Sequence, residues 1–275
     1  MDFVKKIPFF GRILNEYTQK KRDHLAALRM ELIDQYLRLI RDCLTGVIYE
    51  DSSLDGKPYN REVRQYGWDW PSQAHTMIGT KRMDNLRSLV ESVLGNHIEG
   101  DLFEAGVWRG GAAIYMRAVL KAYRVSDRLV WAADSFEGLP KPDPVRYPED
   151  KDSKLHQYKE LSIPLETVKE NFEKYGLLDG QVSFLKGWFR DTLPTAPVKK
   201  LALLRLDGDL YESTMEALTA LYDKVSPGGY VIVDDYHVIA TSKKAVSDFC
   251  LSQHITPELK EIDGVGVYWQ KTIKK

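Results

Sequence analysis

The chain has 275 residues, 43% hydrophobic and 29% charged, an ordinary globular composition that can build a core and excludes a largely disordered protein. Its 39 Lys and Arg against 40 Asp and Glu leave a formal net charge of -1, without the cationic excess of a nucleic-acid binder. With two cysteines, Cys43 and Cys250, and no apolar run near the roughly 18–20 residues that span a bilayer, a disulfide scaffold, a Cys-rich zinc site and a membrane-spanning helix are excluded and a cytoplasmic location is expected. Lys5 and Lys6 stand near the start, but Gly11, Arg12 and Asn15 break any continuous apolar stretch, so no signal peptide is read.

Residues 1–79 read as an N-terminal helical extension with a lid segment, and 80–275 as the main domain. Phe3 to Tyr17 is basic and aromatic, suited to docking on the body, on a second subunit, or on a membrane surface. Tyr17 to Leu44 carries Leu25, Leu28, Leu32, Tyr36, Leu39 and Ile40 at helical spacing, which predicts a packed helix. Thr45 to Gly79 is rich in Tyr, Trp, Pro and Gly, too aromatic for a linker, and is expected to be ordered and to cover something. Thr80 can cap a helix with apolar positions Met83, Leu86, Val90, Val93 and Leu94. Strands are expected to end at Gly106, over Leu129–Asp134, Val182–Leu185, Leu201–Asp207 and Tyr230–Asp234. Helices are expected over Gly110–Tyr123, Leu165–Tyr175, Glu212–Lys224 and Ser242–Ser252. A polar, Pro-rich loop runs from Phe136 to about Ser162. Pro227-Gly228-Gly229 reads as a turn, and Leu259–Gln270 as a hairpin closing at Asp263-Gly264. Strand–helix alternation implies an α/β fold with a mostly parallel sheet, helices on both faces and an antiparallel C-terminal hairpin.

In such sheets ligands bind at the carboxyl ends of the strands. The residues there are Glu104, Asp134, Asp207, Asp234 and Asp235, all acidic. The first turn, Glu104 to Gly111, is Gly-rich but lacks the G-x-G-x-x-G spacing. Its leading carboxylate would repel a pyrophosphate and welcome a cationic cofactor, such as S-adenosylmethionine with its ammonium and sulfonium groups. Asp134, thirty residues on, can accept from both hydroxyls of a ribose or else cap the following segment. Adjacent parallel strands would set Asp207 beside Asp234 and Asp235. Crowded carboxylates raise one another's pKa, and a hard cation such as Mg²⁺ relieves the repulsion. Asp209 reads most readily as a cap, and His237 is near enough in sequence to be an alternative base.

These stretches resemble the TylF/MycF family of O-methyltransferases, which methylate sugar hydroxyls on macrolides and related natural products. The similarity lies in Ala74–Gly79, Glu104–Gly111, Asp134–Pro140, Lys186–Phe189, Leu206–Tyr211 and Val233–Tyr236, in order, from about Tyr49 to Tyr236, and leaves Met1 to about Lys21 outside it. The resemblance implies a Rossmann-like methyltransferase fold of seven strands, S-adenosylmethionine as methyl donor, Mg²⁺, and an assembly of two or more copies. It implies metal ligands at Asp207, Asp234 and Asp235, with Asp207 also the proton acceptor and close to the cofactor. Glu104, Ala105, Gly106, Val107, Trp108, Arg109 and Gly110 would hold the methionine part. Asp134 and Ser135 would hold the ribose, Gly187 and Trp188 would lie near the adenine, and Thr76 and Met77 would close over the cofactor from the N-terminal segment. The acceptor expected is a small-molecule hydroxyl, a sugar or a diol. A catechol-type O-methyltransferase acting on a phenolic diol and a non-catalytic nucleoside- or metal-binding protein on the same fold are the alternatives.

Overall fold

The computed structural model describes residues 8–272, and residues 3–7 of the basic-aromatic start lie outside them. The chain divides into two compact units at Leu39/Ile40. Helix α1 (Pro8–Leu44) makes up the described part of the first unit and ends in the second. It starts earlier than its apolar periodicity suggests, and Leu25, Leu28, Leu32 and Leu39 of the expected packed stripe are exposed.

The second unit opens with residues 45–79, ordered as their aromatic content predicts. They contain a helix that sequence periodicity missed, α2 (Arg61–Tyr66), too short to show a repeat. Asn60 caps it, accepting from the amides of Glu62 and Val63, and Gly67 ends it in the left-handed conformation (φ 64°). The segment is tied down by a buried ion network. Arg64, 0% exposed, donates to both carboxylate oxygens of Asp69 and to the carbonyls of Thr45 and Asp51. The Asp51 carboxylate accepts from Ser72 and from the amides of Gln73 and Ala74.

Then follow α3 (Gly79–Gly95), β1 (Asp101–Ala105), α4 (Gly111–Ala122), β2 (Val130–Asp134), α5 (Leu165–Lys174), β3 (Val182–Lys186) and α6 (Phe189–Thr192). The second half runs β4 (Leu201–Leu206), α7 (Tyr211–Leu221), β5 (Val225–Val233), α8 (Ala240–Ser252), β6 (Lys260–Glu261) and β7 (Val267–Gln270). Thr80 does not cap α3. The helix begins a residue earlier, at Gly79, with Ile78 at the cap position and no side-chain cap. Between β2 and α5 the polar loop is organised by three 3₁₀ turns, Pro148–Asp150, Leu155–Gln157 and Lys159–Leu161.

The seven strands form one sheet in the order β3-β2-β1-β4-β5-β7-β6. The first five are mutually parallel, and β7 and β6 are antiparallel, as the hairpin pattern predicts. Asp263 shapes the hairpin turn by accepting from the amides of Val265 and Gly266. Pro227-Gly228-Gly229 does not turn the chain into a strand. β5 already begins at Val225, and these residues bulge out of register between the pairs Leu201↔Val225 and Leu203↔Tyr230. The central strands are mostly apolar and enclosed, β4 being buried along its whole length, as expected where helices cover both faces. Strand order reverses between β1 and β4, which opens a crevice above their carboxyl ends.

Candidate active site

A cavity of about 420 Å³ occupies that crevice, within the usual range for small-molecule sites. Its floor is the strand ends. Glu104 lies on β1, and Gly106 and Val107 follow it. Asp207 follows β4, while Asp234 and Asp235 follow β5. The pairing Leu206↔Val233 brings Asp207 level with Asp234, and ligand oxygens of Asp207, Asp234 and Asp235 lie within 4.8 Å of one another. Gly106 (φ 91°) is required here, because a Cβ would meet the Asp207 carbonyl oxygen at 1.9 Å.

Two buried arginines, missed in the sequence, organise these carboxylates. Arg205 stands in the apolar run of β4 and pairs laterally with Glu104 of β1. Its Nη1 donates to Glu104 Oε1 (2.6 Å) and Asp207 Oδ2 (2.9 Å), and its Nη2 to Asp234 Oδ1 (2.5 Å). Arg82, on the buried side of α3, pairs with Asp234 Oδ2 and faces Asp263 Oδ2 at 3.1 Å. A charged residue inside the strand Leu201-Ala202-Leu203-Leu204-Arg205-Leu206, two positions before Asp207, was the available signal, since a buried charge demands partners.

Carboxylates still outnumber cations. Burial, then the charge of Asp234, raises the Asp207 carboxyl above its ordinary range. Burial with the charges of Asp209 and Asp207 holds Asp235 well above it. Asp209 is pushed up to about 7 by burial and by Asp207. It lines the cavity beside the trio and does not act as the expected cap. The start of α7 is capped instead by Asp150, whose oxygens accept from the amides of Tyr211 (2.9 Å) and Glu212 (2.8 Å). Burial also raises Glu104, against the pull of Arg205. Oε2 of Glu104 and Oδ2 of Asp235 are buried without a hydrogen-bond donor. His237 faces Glu261 at 3.5 Å and is not among the cavity-lining residues.

Asp134 accepts from the amides of Val107 (2.7 Å) and Phe136 (2.8 Å), so it braces the first two turns while lining the cavity. Ser135 lines it too and donates to the Gly138 carbonyl. Thr76, Met77, Trp108 and Trp188 complete the walls. Ala105, Arg109, Gly110 and Gly187 stand behind the surface. Ala105 accepts from the Asp207 amide, and Gly110 caps α4. Gly187 donates to the Asp134 carbonyl. The Arg109 guanidinium stacks on Trp108 (4.2 Å) and donates to the carbonyls of Pro71 and Ala74, fastening the 45–79 segment to the first turn. That segment is a wall of the cavity, through Gly67, Trp68, Trp70 and Ile78 as well. The 136–162 loop adds Leu139, Pro140, Leu155 and Leu161 to the lining and adjoins that wall where Trp70 meets Tyr158 edge-on at 5.5 Å.

This fold recurs in known structures. The chain superimposes on "Structure of the O-methyltransferase NovP" with a TM-score of 0.85 and 52% identity, over 88% of this chain and all of the other. The calicheamicin methyltransferase CalS11 shares the fold at a TM-score of 0.57 and 20% identity, over 69% of this chain and 78% of the other. Sheet order, closing hairpin and crevice are those of a Rossmann-like, S-adenosylmethionine-dependent methyltransferase. The chain belongs to the macrocin O-methyltransferase (TylF) family, whose model matches residues 33–271, a span wider than the motifs alone suggested. It is 52% identical over 244 residues to demethyldecarbamoylnovobiocin O-methyltransferase of Streptomyces niveus, covering 86% of this chain and 93% of that one. It is 47% identical over 248 residues to mycinamicin III 3''-O-methyltransferase of Micromonospora griseorubida, covering 87% and 97%. It is therefore an O-methyltransferase, which sets aside the non-catalytic alternative. Among the described residues no helix is long and apolar enough to cross a membrane.

Proposed function

We propose that the protein transfers the methyl group of S-adenosylmethionine to a sugar hydroxyl of a glycosylated natural product, with Asp207 as the base and Asp207, Asp234 and Asp235 as ligands of a Mg²⁺ ion. The observation that carries the reading is the convergence of these three carboxylates on the floor of the cavity at the crevice where this fold binds ligands. The sugar acceptor is supported by relatives, among them an enzyme of Streptomyces olivaceus, 51% identical, named for 4'-O-methylation of a dimethoxy-rhamnosyl tetracenomycin C.

The residues fit both groups. The donorless buried Oε2 of Glu104 suits the ammonium of the methionine part, and the N–H groups and glycines of the first turn allow close approach. For the ion, an all-oxygen set selects a hard divalent cation, and the donorless Oδ2 of Asp235 in a crowded acidic cluster is what such a cation satisfies. When bound, Mg²⁺ supplies charge that lowers the pKa of a coordinated hydroxyl.

The chain's own groups do the rest. Asp207, on the cavity floor and level with Asp234, accepts the hydroxyl proton. The acceptor oxygen forms its bond to the methyl carbon as the carbon–sulfur bond breaks, leaving an ether, S-adenosylhomocysteine and a proton on Asp207. No new anion needs stabilising, because the sulfonium charge is neutralised. Positioning therefore dominates, and the aromatic wall of Trp68 and Trp70 contributes to it. The test is calorimetric titration of S-adenosylhomocysteine, then turnover on glycosylated acceptors and simple catechols with Mg²⁺ or with EDTA. Micromolar binding, turnover of the glycosides and its loss in EDTA are expected. Catechols as the better substrates would replace the sugar by a phenolic diol, and full activity in EDTA would remove the ion.

A further inference from the structure

Arg82 projects from the buried side of α3, one turn before Leu86, and is 6% exposed. Its guanidinium reaches three separate elements. Nη1 pairs with Oδ2 of Asp234 after β5, and Nε faces Asp263 in the hairpin turn. Nη2 donates to the carbonyls of Tyr66 (3.1 Å) and Gly67 (3.5 Å) at the C-terminus of α2, where a helix has carbonyls without intrahelical partners. The next residue, Trp68, lies on the cavity wall, stacked on Tyr66 at 4.6 Å.

The fit is close. A Cβ on Gly67 would stand 2.6 Å from Arg82 Nη2 and 2.4 Å from the Met77 carbonyl oxygen, so the backbone of this stretch of the wall packs directly against the guanidinium. The other oxygen of Asp234 is held by Arg205, which is enclosed within the sheet at 1% exposure. Asp234 is thus clamped from two sides. One clamp is fixed in the sheet, and the other is the group that holds the wall.

We propose that Arg82 is a positioning residue that couples the orientation of Asp234 to closure of the 61–70 wall over the methyl-donor cavity. The importance given to Asp234 rests on its reading as an ion ligand. A guanidinium serves this purpose because its planar fork of donors meets a carboxylate and two carbonyls at once. A lysine ammonium keeps the charge but is a point donor on a flexible stem and does not span them. Coupling is reciprocal. What disturbs the wall end of Arg82 disturbs Asp234, and a change at Asp234 loosens the wall.

The experiment uses the whole chain with Arg82→Lys and Asp234→Asn, and S-adenosylhomocysteine titration as the check that each variant is folded. Amide exchange is read at Gly67 and Trp68, whose N–H groups donate to Arg64 and Val63 carbonyls, with β1 and β2 amides as internal standards. Asp234→Asn is expected to speed exchange at Gly67 and Trp68 by about tenfold with the standards unchanged, although Asp234 has no hydrogen bond to either. Arg82→Lys is expected to do the same and to weaken Mg²⁺ binding by about tenfold in calorimetry. Exchange at Gly67 and Trp68 unchanged in Asp234→Asn overturns the proposal. Full rescue of exchange and Mg²⁺ affinity by Arg82→Lys overturns it in favour of charge balance alone. A wild-type chain that binds S-adenosylhomocysteine but no Mg²⁺ sinks the ion reading, and the exchange rates then decide the coupling by themselves.

Discussion

Arginine is buried in two regions of this molecule, and the two are built differently. Around Arg64 every charge is answered within the 45–79 segment, by Asp69 and by backbone carbonyls, while Asp51 is spent on Ser72 and two amides. Around Arg205 and Arg82 the accounts do not balance. Six carboxylates, Glu104, Asp207, Asp209, Asp234, Asp235 and Asp263, gather around two guanidinium groups, the carboxyls of Glu104, Asp207, Asp209 and Asp235 are driven up, and polar atoms stay without partners. A satisfied buried network fixes a shape, whereas a surplus of one sign beside a cavity has capacity for cationic ligands.

That contrast can be broken most severely at Asp207. Asp207→Asn should lower kcat by about 10²–10⁴-fold, measured in steady-state methyl transfer, while leaving S-adenosylhomocysteine affinity within a few-fold. The opposite region should answer in stability. Arg64→Gln removes the cation from a closed network and should cost about 3–5 kcal/mol of unfolding free energy in a denaturant titration. If instead the Arg64 variant stayed stable but lost only turnover, the division between shape and site would be wrong. Glu104→Gln tests one ligand of the surplus. Losing a charge-assisted hydrogen bond of about 1.5–3 kcal/mol should weaken S-adenosylhomocysteine by roughly ten- to hundredfold in calorimetry.

The smallest effect is expected at His75, in the satisfied region, where Nδ1 meets the Tyr175 hydroxyl at 2.9 Å. Burial, then the charges of Lys174 and Arg109, depress its pKa from 6.5 to about 4. The folded chain therefore keeps it neutral while the unfolded chain takes up a proton below about 6.5. Its contribution is fully present above pH 6.5 and is lost as pH falls towards 4. Denaturation midpoints at pH 7 and pH 4.5 should differ less in His75→Gln than in the wild type.

Much of this was legible in the residues because it rests on repeating pattern. Apolar runs ending in an acid located β1, β2, β4 and β5, and parallel pairing then forced Asp207 next to Asp234. The hairpin at Asp263 followed from turn chemistry. What sequence reasoning missed has no period. α2 is six residues long, and the roles of Arg82 and Arg205 depend on partners as far as 152 and 101 positions away. The stripe of leucines on α1 misled for the converse reason, since periodicity specifies a face but not whether that face is covered. Asp209 reads as a cap in the sequence, while the cap of α7 is Asp150, in a loop whose course the sequence did not define.

That cap carries a consequence for anyone wishing to redesign what the cavity accepts. The loop between β2 and α5 offers Leu139, Pro140, Leu155 and Leu161 to the interior, so it is the natural piece to exchange. Yet the same loop also delivers the carboxylate that seats the first turn of α7, directly after Asp207-Gly208-Asp209. A transplanted loop that omits an acid at the place of Asp150 would unseat the helix that follows Asp207, and its recipient would be scored as unable to use a new acceptor when it had in fact lost its old machinery. Grafts should therefore be cut on either side of Pro148–Asp150, with that turn left in the host.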